Sequence, residues 1–295
     1  MNWDFIYRGE SMDLDDATRN TAISGSFINL PEGRTHYELE GLPTGEPVVL
    51  VHGFSIPYFI WDPTFQALTS LGFYTLRYDL FGRGFSDRPR INYDIHLFVR
   101  QLRDLLDGLK LARVNLIGLS MGGAIASAFT VNSPNRVRKL VLIDPIGVKP
   151  MPLNLLFKAA SLPGVSELIL GLIGSEKLVN NIAADFYDPK HIKLLQDQFQ
   201  VQMRIKGFKR AILSTLRNGM VNGFPEIYEE LGRSQMPVML LWGRNDQILP
   251  LEQSEPILKL IPKANFHVFE NCGHIPHFEA PELVNQILSK FLSPK

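Results

Sequence analysis

Six short apolar runs recur along the chain, at Pro47–Val51, Phe73–Tyr78, Val114–Gly118, Lys139–Ile143, Pro237–Trp242 and Asn265–Phe269. Each is bounded by turn-forming residues and has the length of a buried strand. Between them apolar positions return with helical spacing, at Asp94–Leu109, Met121–Asn132, Glu252–Leu260 and Pro281–Leu292. Strands alternating with helices predict an α/β fold, a mostly parallel central sheet with helices on both faces. In such a fold ligands bind beyond the carboxyl ends of the strands.

The alternation stops after Ile143. From Pro145 to about Gln235 only helical runs are legible, among them Leu153–Ala160, Val165–Ile173 and His191–Gln202. The pattern therefore predicts a core of residues 1–144 and 236–295, interrupted by a helical cap at 145–235 that starts above the ligand face. The first part of this insertion is rich in leucine and isoleucine. Those side chains pack the cap onto the core, or else some of them line an apolar pocket or meet a lipid surface.

Composition narrows the functions open to such a fold. The 295 residues carry 30 Lys+Arg against 30 Asp+Glu, so net charge provides no attraction to nucleic acid or anionic lipid. Cys272 is the single cysteine, which rules out an intrachain disulfide and a cysteine metal cluster and makes a reducing cytoplasm the expected location. The first twenty residues hold five acids, two arginines and no long apolar run, unlike a secretory signal. They read as a disordered arm or as an added contact. Val114–Asn135 is uncharged and long enough to span a bilayer, but its glycines, serines and Pro134 favour a buried strand followed by a buried helix over a stable membrane span.

Candidate chemistry begins at Gly118-Leu-Ser120-Met-Gly122, a G-x-S-x-G pentapeptide. Alone it is a weak signal. Here an apolar strand runs into it and an apolar helix leaves it without a loop, the strand-to-helix elbow that lifts a serine hydroxyl clear of a sheet. A glycine-rich packing turn is the alternative.

With this turn in view the sequence resembles the α/β-hydrolase superfamily from about residue 24 to 293. The matching segments, in the family's order, are Val51-His-Gly-Phe54, Tyr78 to Pro89, Gly118 to Gly123, Trp242-Gly-Arg-Asn-Asp246 and Cys272-Gly-His274-Ile-Pro-His277. The resemblance implies a serine nucleophile, a carboxylate and a histidine base, in that chain order. A serine hydroxyl needs a base near its operating protonation range. His274 follows a strand and a glycine and is expected to supply it; His277 packs or caps the next helix, and His52 stabilises its loop by hydrogen bonding. The base needs an orienting carboxylate. Asp246 follows the strand ending at Trp242 and is the first candidate; Asp144, at the end of the Leu140–Ile143 run, is the alternative acid. Backbone N–H groups of Phe54 and Met121 are expected to form the oxyanion hole, and Gly53 to let its loop approach the substrate. The Gly82-Arg83-Gly84 loop lacks the spacing of a phosphate loop and reads as a structural loop beneath the site.

Serine at position 120 sets the chain apart from haloalkane dehalogenases and epoxide hydrolases, which carry aspartate there. Carbon–carbon bond hydrolases of aromatic degradation share Ser-Met-Gly-Gly, but their glycine-rich loop after the first His-Gly is replaced by Phe54 to Trp61. The first expectation is accordingly hydrolysis of a small-molecule carboxylic ester with an apolar acyl or alcohol group, without cofactor or metal. Carbon–carbon hydrolysis, a lyase or a ligand-binding receptor of the same fold are the alternatives. Ser55, Tyr58, Trp61, Ile146, Leu156 and Ile275 are the expected pocket residues. The oligomeric state is not legible.

Overall fold

Buried strands can satisfy their backbone groups only by pairing, and strands apolar on both sides must be covered on both faces. The computed structural model, which describes residues 7, 9–21, 24–152, 179–180 and 182–293, solves both demands with one sheet. Its strands are β1 (Ser26–Leu30), β2 (Gly33–Glu40), β3 (Pro47–Val51), β4 (Tyr74–Tyr78), β5 (Val114–Leu119), β6 (Val137–Ile143), β7 (Val238–Gly243) and β8 (Asn265–Phe269). They lie in the order β1-β2-β4-β3-β5-β6-β7-β8. β1 and β2 pair antiparallel at one edge, β2 joins β4 antiparallel, and every pair from β4 to β8 is parallel. The six apolar runs of the sequence are β3 to β8. β1 and β2 escape that pattern because their inward positions include Thr35, His36 and Glu38, polar groups buried against partners from elsewhere in the chain.

The described helices are α1 (Asp16–Arg19), α2 (Asp62–Ser70), α3 (Ile95–Gly108), α4 (Met121–Asn132), α5 (Ile192–Met203), α6 (Phe208–Arg217), α7 (Pro225–Arg233), α8 (Ser254–Leu260), α9 (Pro276–Glu279) and α10 (Pro281–Leu292). The period-two alternation of the strands divides the core. Val49, Val51 and Leu116 face one layer, built from α3, α4, α7 and α8 through Phe98, Leu105, Phe129, Tyr228 and Ile257. Val48, Leu50 and Ile117 face the other, where α2, α10 and residues of α5 and α6 pack through Phe65, Leu288, Phe199 and Phe208. Truncating one of these side chains to alanine costs about 2–5 kcal/mol. At the start of α3, Asp94 Oδ1 accepts from Leu97 N–H at 2.8 Å, a side-chain cap that fixes where the helix begins. Among the described residues no helix is long and apolar enough to cross a membrane.

Described residues of the N-terminal segment make a contact, the second of the two readings open to the sequence. The N–H groups of Ser11 and Met12 donate to Arg204 C=O, and Lys206 N–H donates to Met12 C=O, each at 2.8 Å. Glu10 then caps α6: its carboxylate accepts from the N–H groups of Gly207 at 2.7 Å and Lys209 at 2.6 Å. A carboxylate on orphan donors at a helix start is favourable twice, by hydrogen bonding and by the helix dipole. Glu10→Ala is expected to cost ~1 kcal/mol and to lower Tm by about 2–3 °C in a calorimetric melt; an unchanged Tm would show that the cap contributes nothing.

Candidate active site

The elbow forms where β5 meets α4. Ser120 holds φ 54° and ψ −119°, a conformation that costs a non-glycine residue of order 1–3 kcal/mol. It is held by its own peptide: Ser120 N–H donates to Ile143 C=O at 2.9 Å, and Ser120 C=O accepts from Gly123 and Ile146 N–H at 2.9 and 3.0 Å. Gly122 is required by close packing, because a Cβ there would stand 2.2 Å from Val51 C=O and 2.5 Å from His52 C=O. Gly53 lies over the serine, where a Cβ would come within 3.3 Å of Ser120 Cβ. This brings the loop after β3 and the turn after β5 together, as the sequence led us to expect of an oxyanion loop.

His274 and Asp246 stand on the loops after β8 and β7. His274 Nδ1 is 2.7 Å from Asp246 Oδ2, and Asp246 Oδ1 accepts from Ile248 and Leu249 N–H at 2.7 and 2.9 Å. With both its oxygens engaged, Asp246 directs the Nδ1 proton of His274 toward itself and leaves Nε2 as the free base nitrogen. Burial alone would lower the imidazole's pKa, but the charge and hydrogen bond of Asp246 outweigh it and the net direction is up. Ser120 and His274 line one cavity, although they form no hydrogen bond with each other in this structure. Such contacts often tighten only when substrate arrives.

Asp144, the alternative acid, follows β6 and is fully buried beside this pair. Donor atoms of Asp144, Asp246 and His274 all lie within 4.8 Å of one another, the one such grouping among the described residues compact enough to hold a metal ion. A cation there would have to displace the His274–Asp246 hydrogen bond. Asp144 Oδ1 accepts from Gly243 N–H at 2.9 Å, while Oδ2 is buried without a partner. Burial, and then the neighbouring charge of Asp246, push its pKa well up and so favour its neutral form. Asp144→Asn, which keeps shape and neutrality, is therefore expected to change kcat/KM at pH 7 by less than about tenfold; a loss of several orders of magnitude would show that Asp144 carries the orienting charge.

The loop after β3 is braced from below. His52 Nε2 accepts from Leu80 N–H at 2.9 Å, so its Nδ1 carries the proton that Gly53 C=O accepts at 2.9 Å. Burial holds the ring neutral, with a pKa of about 4. Arg83 sits fully buried under the same loop, its Nε donating to Phe54 C=O and a terminal nitrogen donating to Thr215 Oγ1 of α6, both at 2.9 Å. The Gly-Arg-Gly loop thus lies beneath the site: its arginine holds the Phe54 carbonyl, while His52 holds the Gly53 carbonyl of the peptide whose N–H the sequence assigns to the oxyanion. His277 packs, as expected: its ring lies 4.4 Å from that of Trp61 and its Nε2 donates to Ile60 C=O at 3.2 Å.

The cavity has a volume of about 360 Å³. Phe54, Ser55, Ile146 and Ile275 line it as the sequence suggested. Two expected pocket residues do not. Tyr58 turns toward the sheet edge, its N–H donating to Asp79 Oδ1 at 3.0 Å and its ring carrying the Arg77 guanidinium at 5.0 Å. Trp61 is fully buried against His277, because the turn Tyr58–Trp61 carries the loop's aromatics down into the core after only Phe54 has faced the cavity. Leu156 lies outside the described residues. Side chains that the sequence did not single out close the other side: Phe199 of α5 and Phe208, Ile212 and Leu216 of α6. The apolar spacing of α5 was legible, but nothing in it marked the face that meets the site. Asp185, which follows the 145–178 stretch in a short 3₁₀ turn, also lines the cavity and was not anticipated.

Comparison with known proteins follows the same outline. Residues 46–281 match the family model described as alpha/beta hydrolase fold. The chain belongs to that family. It is 29% identical over 270 residues, 88% of this chain and 94% of the relative, to a 2-hydroxy-6-oxo-2,4-heptadienoate hydrolase of Pseudomonas putida. It is 28% identical over 274 residues, 90% of this chain and 86% of the relative, to a carboxylesterase of Bacillus subtilis. Among solved structures, a meta-cleavage product hydrolase from Pseudomonas fluorescens is similar at a TM-score of 0.74 and 25% identity, covering 90% of this chain and 97% of that one.

Proposed function

We propose that the chain is a serine hydrolase that cleaves uncharged carboxylic esters with an apolar acyl or alcohol group, and that Ser120, His274 and Asp246 act together in it. The observation that carries this reading is one apolar cavity lined by both Ser120 and His274, with His274 Nδ1 already bonded to Asp246. Ser120 Oγ adds to the ester carbonyl while His274 Nε2 takes its proton, and the imidazolium is stabilised by Asp246. The N–H groups of Phe54 and Met121 receive the charge on the carbonyl oxygen, each donor contributing on the order of 3 kcal/mol. The proton passes to the departing alcohol. Water, losing a proton to His274, then splits the acyl ester on Ser120 and releases the acid. In this reading residues 145–235 form the cap, whose helices α5 and α6 supply the cavity's apolar side.

A second reading, carbon–carbon bond hydrolysis, is supported by the relatives' names, which favour it over ester cleavage: besides the heptadienoate hydrolase, a 2-hydroxy-6-oxononadienedioate/2-hydroxy-6-oxononatrienedioate hydrolase of Paraburkholderia phymatum is 28% identical over 305 residues. Dienoates and dioates are anions. Among the described residues no lysine or arginine lines the cavity, and this favours the uncharged ester.

The two are separated by comparing kcat/KM for p-nitrophenyl esters of graded chain length with kcat/KM for 2-hydroxy-6-oxo-6-phenylhexa-2,4-dienoate. The ester reading expects the best ester to exceed the dienoate by about a hundredfold or more. The reverse order would replace it with the carbon–carbon reading, and turnover of neither would overturn both.

A further inference from the structure

Asp185 is the charged group on the cavity wall that the mechanism above does not use. It sits half-buried at the end of the turn Ile182–Asp185, and the turn is locked against the base: Asp185 C=O accepts from His274 N–H at 2.8 Å. The fit is close, since a Cβ on Gly273 would stand 2.5 Å from that same oxygen. Its carboxyl makes no hydrogen bond or ion pair with the described residues, and none of those lining the cavity is a lysine or arginine that could neutralise it. Resting on the ester reading, we propose that Asp185 is a charge filter for this cavity, which admits uncharged acyl compounds, rejects anionic ones and drives out the carboxylate that hydrolysis produces.

The physical basis is the low dielectric of an apolar cavity. An ester entering it is neutral and meets no penalty from Asp185, whereas the acid leaving it carries a negative charge into the field of a second carboxylate. Two unit charges about 8 Å apart at an effective dielectric constant near 20 shift an equilibrium by roughly thirtyfold. Neutral substrate and anionic product are thereby distinguished although they fill the same apolar space.

The filter depends on pH. Burial pushes the Asp185 pKa up to about 7; the imidazole of His274 opposes that rise, and the charges of Asp246 and Glu279 add to it. Glu279, on α9, is held by the N–H groups of Tyr187, Asp188 and Gly273, and Asp188 adds a further charge beside it. Above the pKa of Asp185 the filter is on; below it the carboxyl is neutral and the repulsion is gone. Protonation of His274 favours anions, and the Asp185 charge itself helps to raise the His274 pKa, so the variant's imidazole protonates less readily. The two proteins are therefore compared first above pH 8, where the imidazole is least protonated and the Asp185 charge makes the difference.

The test is calorimetric binding of heptanoate, with heptanamide as the uncharged control, to the intact wild-type protein and to Asp185→Asn between pH 6 and pH 8.5. Expected is a wild-type heptanoate Kd about thirtyfold weaker than the variant's above pH 8, converging toward the variant's at pH 6, with heptanamide binding the two alike throughout. Equal heptanoate affinities above pH 8 would overturn the proposal. So would a ratio independent of pH, because a purely steric effect would not titrate. Asp185→Ala provides the same comparison should the asparagine variant fail to fold. Because binding is read without turnover, failure of the filter and failure of the ester reading are told apart: a protein that cleaves no ester yet shows the titrating ratio keeps the filter, and one that cleaves esters with a flat ratio loses it.

Discussion

Ser120→Ala is expected to lower kcat for the best acyl ester by roughly 10⁵-fold, leaving only what the proposed oxyanion donors and binding provide. The size follows from chemistry. Without the hydroxyl there is no acyl ester to form, and water must attack the substrate directly in a cavity built around a different nucleophile. Because Ser120 is held in a strained conformation that alanine tolerates no better, the variant is expected to keep its fold with Tm changed by only a few degrees. Progress curves and a thermal melt on the same preparation check both halves. A folded variant that retained more than about a hundredth of the wild-type rate would remove Ser120 from the mechanism.

Asp246→Asn is expected to have the next largest effect, about 10⁴-fold on kcat. Asparagine keeps the size of the side chain but offers no charge, so the imidazolium formed during attack loses its partner and the Nδ1 tautomer its acceptor. A second readout distinguishes this from simple damage. Asp246 raises the His274 pKa above its ordinary value, and the base works only when unprotonated, so wild-type activity must fall as pH drops through a value above about 6.5. Removing the charge moves that acid limb down. A pH–kcat/KM profile of residual activity that kept the wild-type limb would contradict the pairing.

The parts of the fold legible in the sequence are those where apolar periodicity acts alone. Strands β3, β5 and β7 are buried at nearly every position and read as near-continuous apolar runs, and the buried faces of α3, α4 and α10 are apolar apart from Gln101, Ser127, Thr130 and Asn285. β1 was not legible because none of its positions is buried, and β2 because its buried positions are polar. His36 pairs with Asp79 at 2.8 Å, and Glu38 with Arg77 at 2.6 Å, partners that only the folded chain brings near. α6 was hidden for a related reason: Lys209 is buried along with Phe208 and Ile212, and a charge on the inner face breaks the stripe.

The site divides along the same line. The elbow glycines and the strand-end histidine and aspartate leave local signals, so the sequence could single out Ser120, His274 and Asp246 as candidates, and the structure places His274 against Asp246 and on one cavity with Ser120. The cavity walls are tertiary. Tyr58 and Trp61 shared a segment with Phe54 and were assigned by proximity, but a turn of 3₁₀ helix rotates them into the core. Asp185 had no signal at all, since a lone acid between Ala184 and Phe186 belongs to no motif and gains a setting only when His274 N–H bonds its carbonyl. The same is true of Glu10, whose role depends on the start of a helix nearly two hundred positions away.

The most direct measurement of the central claim is stoichiometric labelling with a fluorophosphonate, followed by peptide mapping. One phosphonyl group per chain, located on the peptide containing Ser120, absent in Ser120→Ala and formed far more slowly in Asp246→Asn, is the result this account predicts. Ester turnover without any adduct, or an adduct on another residue, would contradict it.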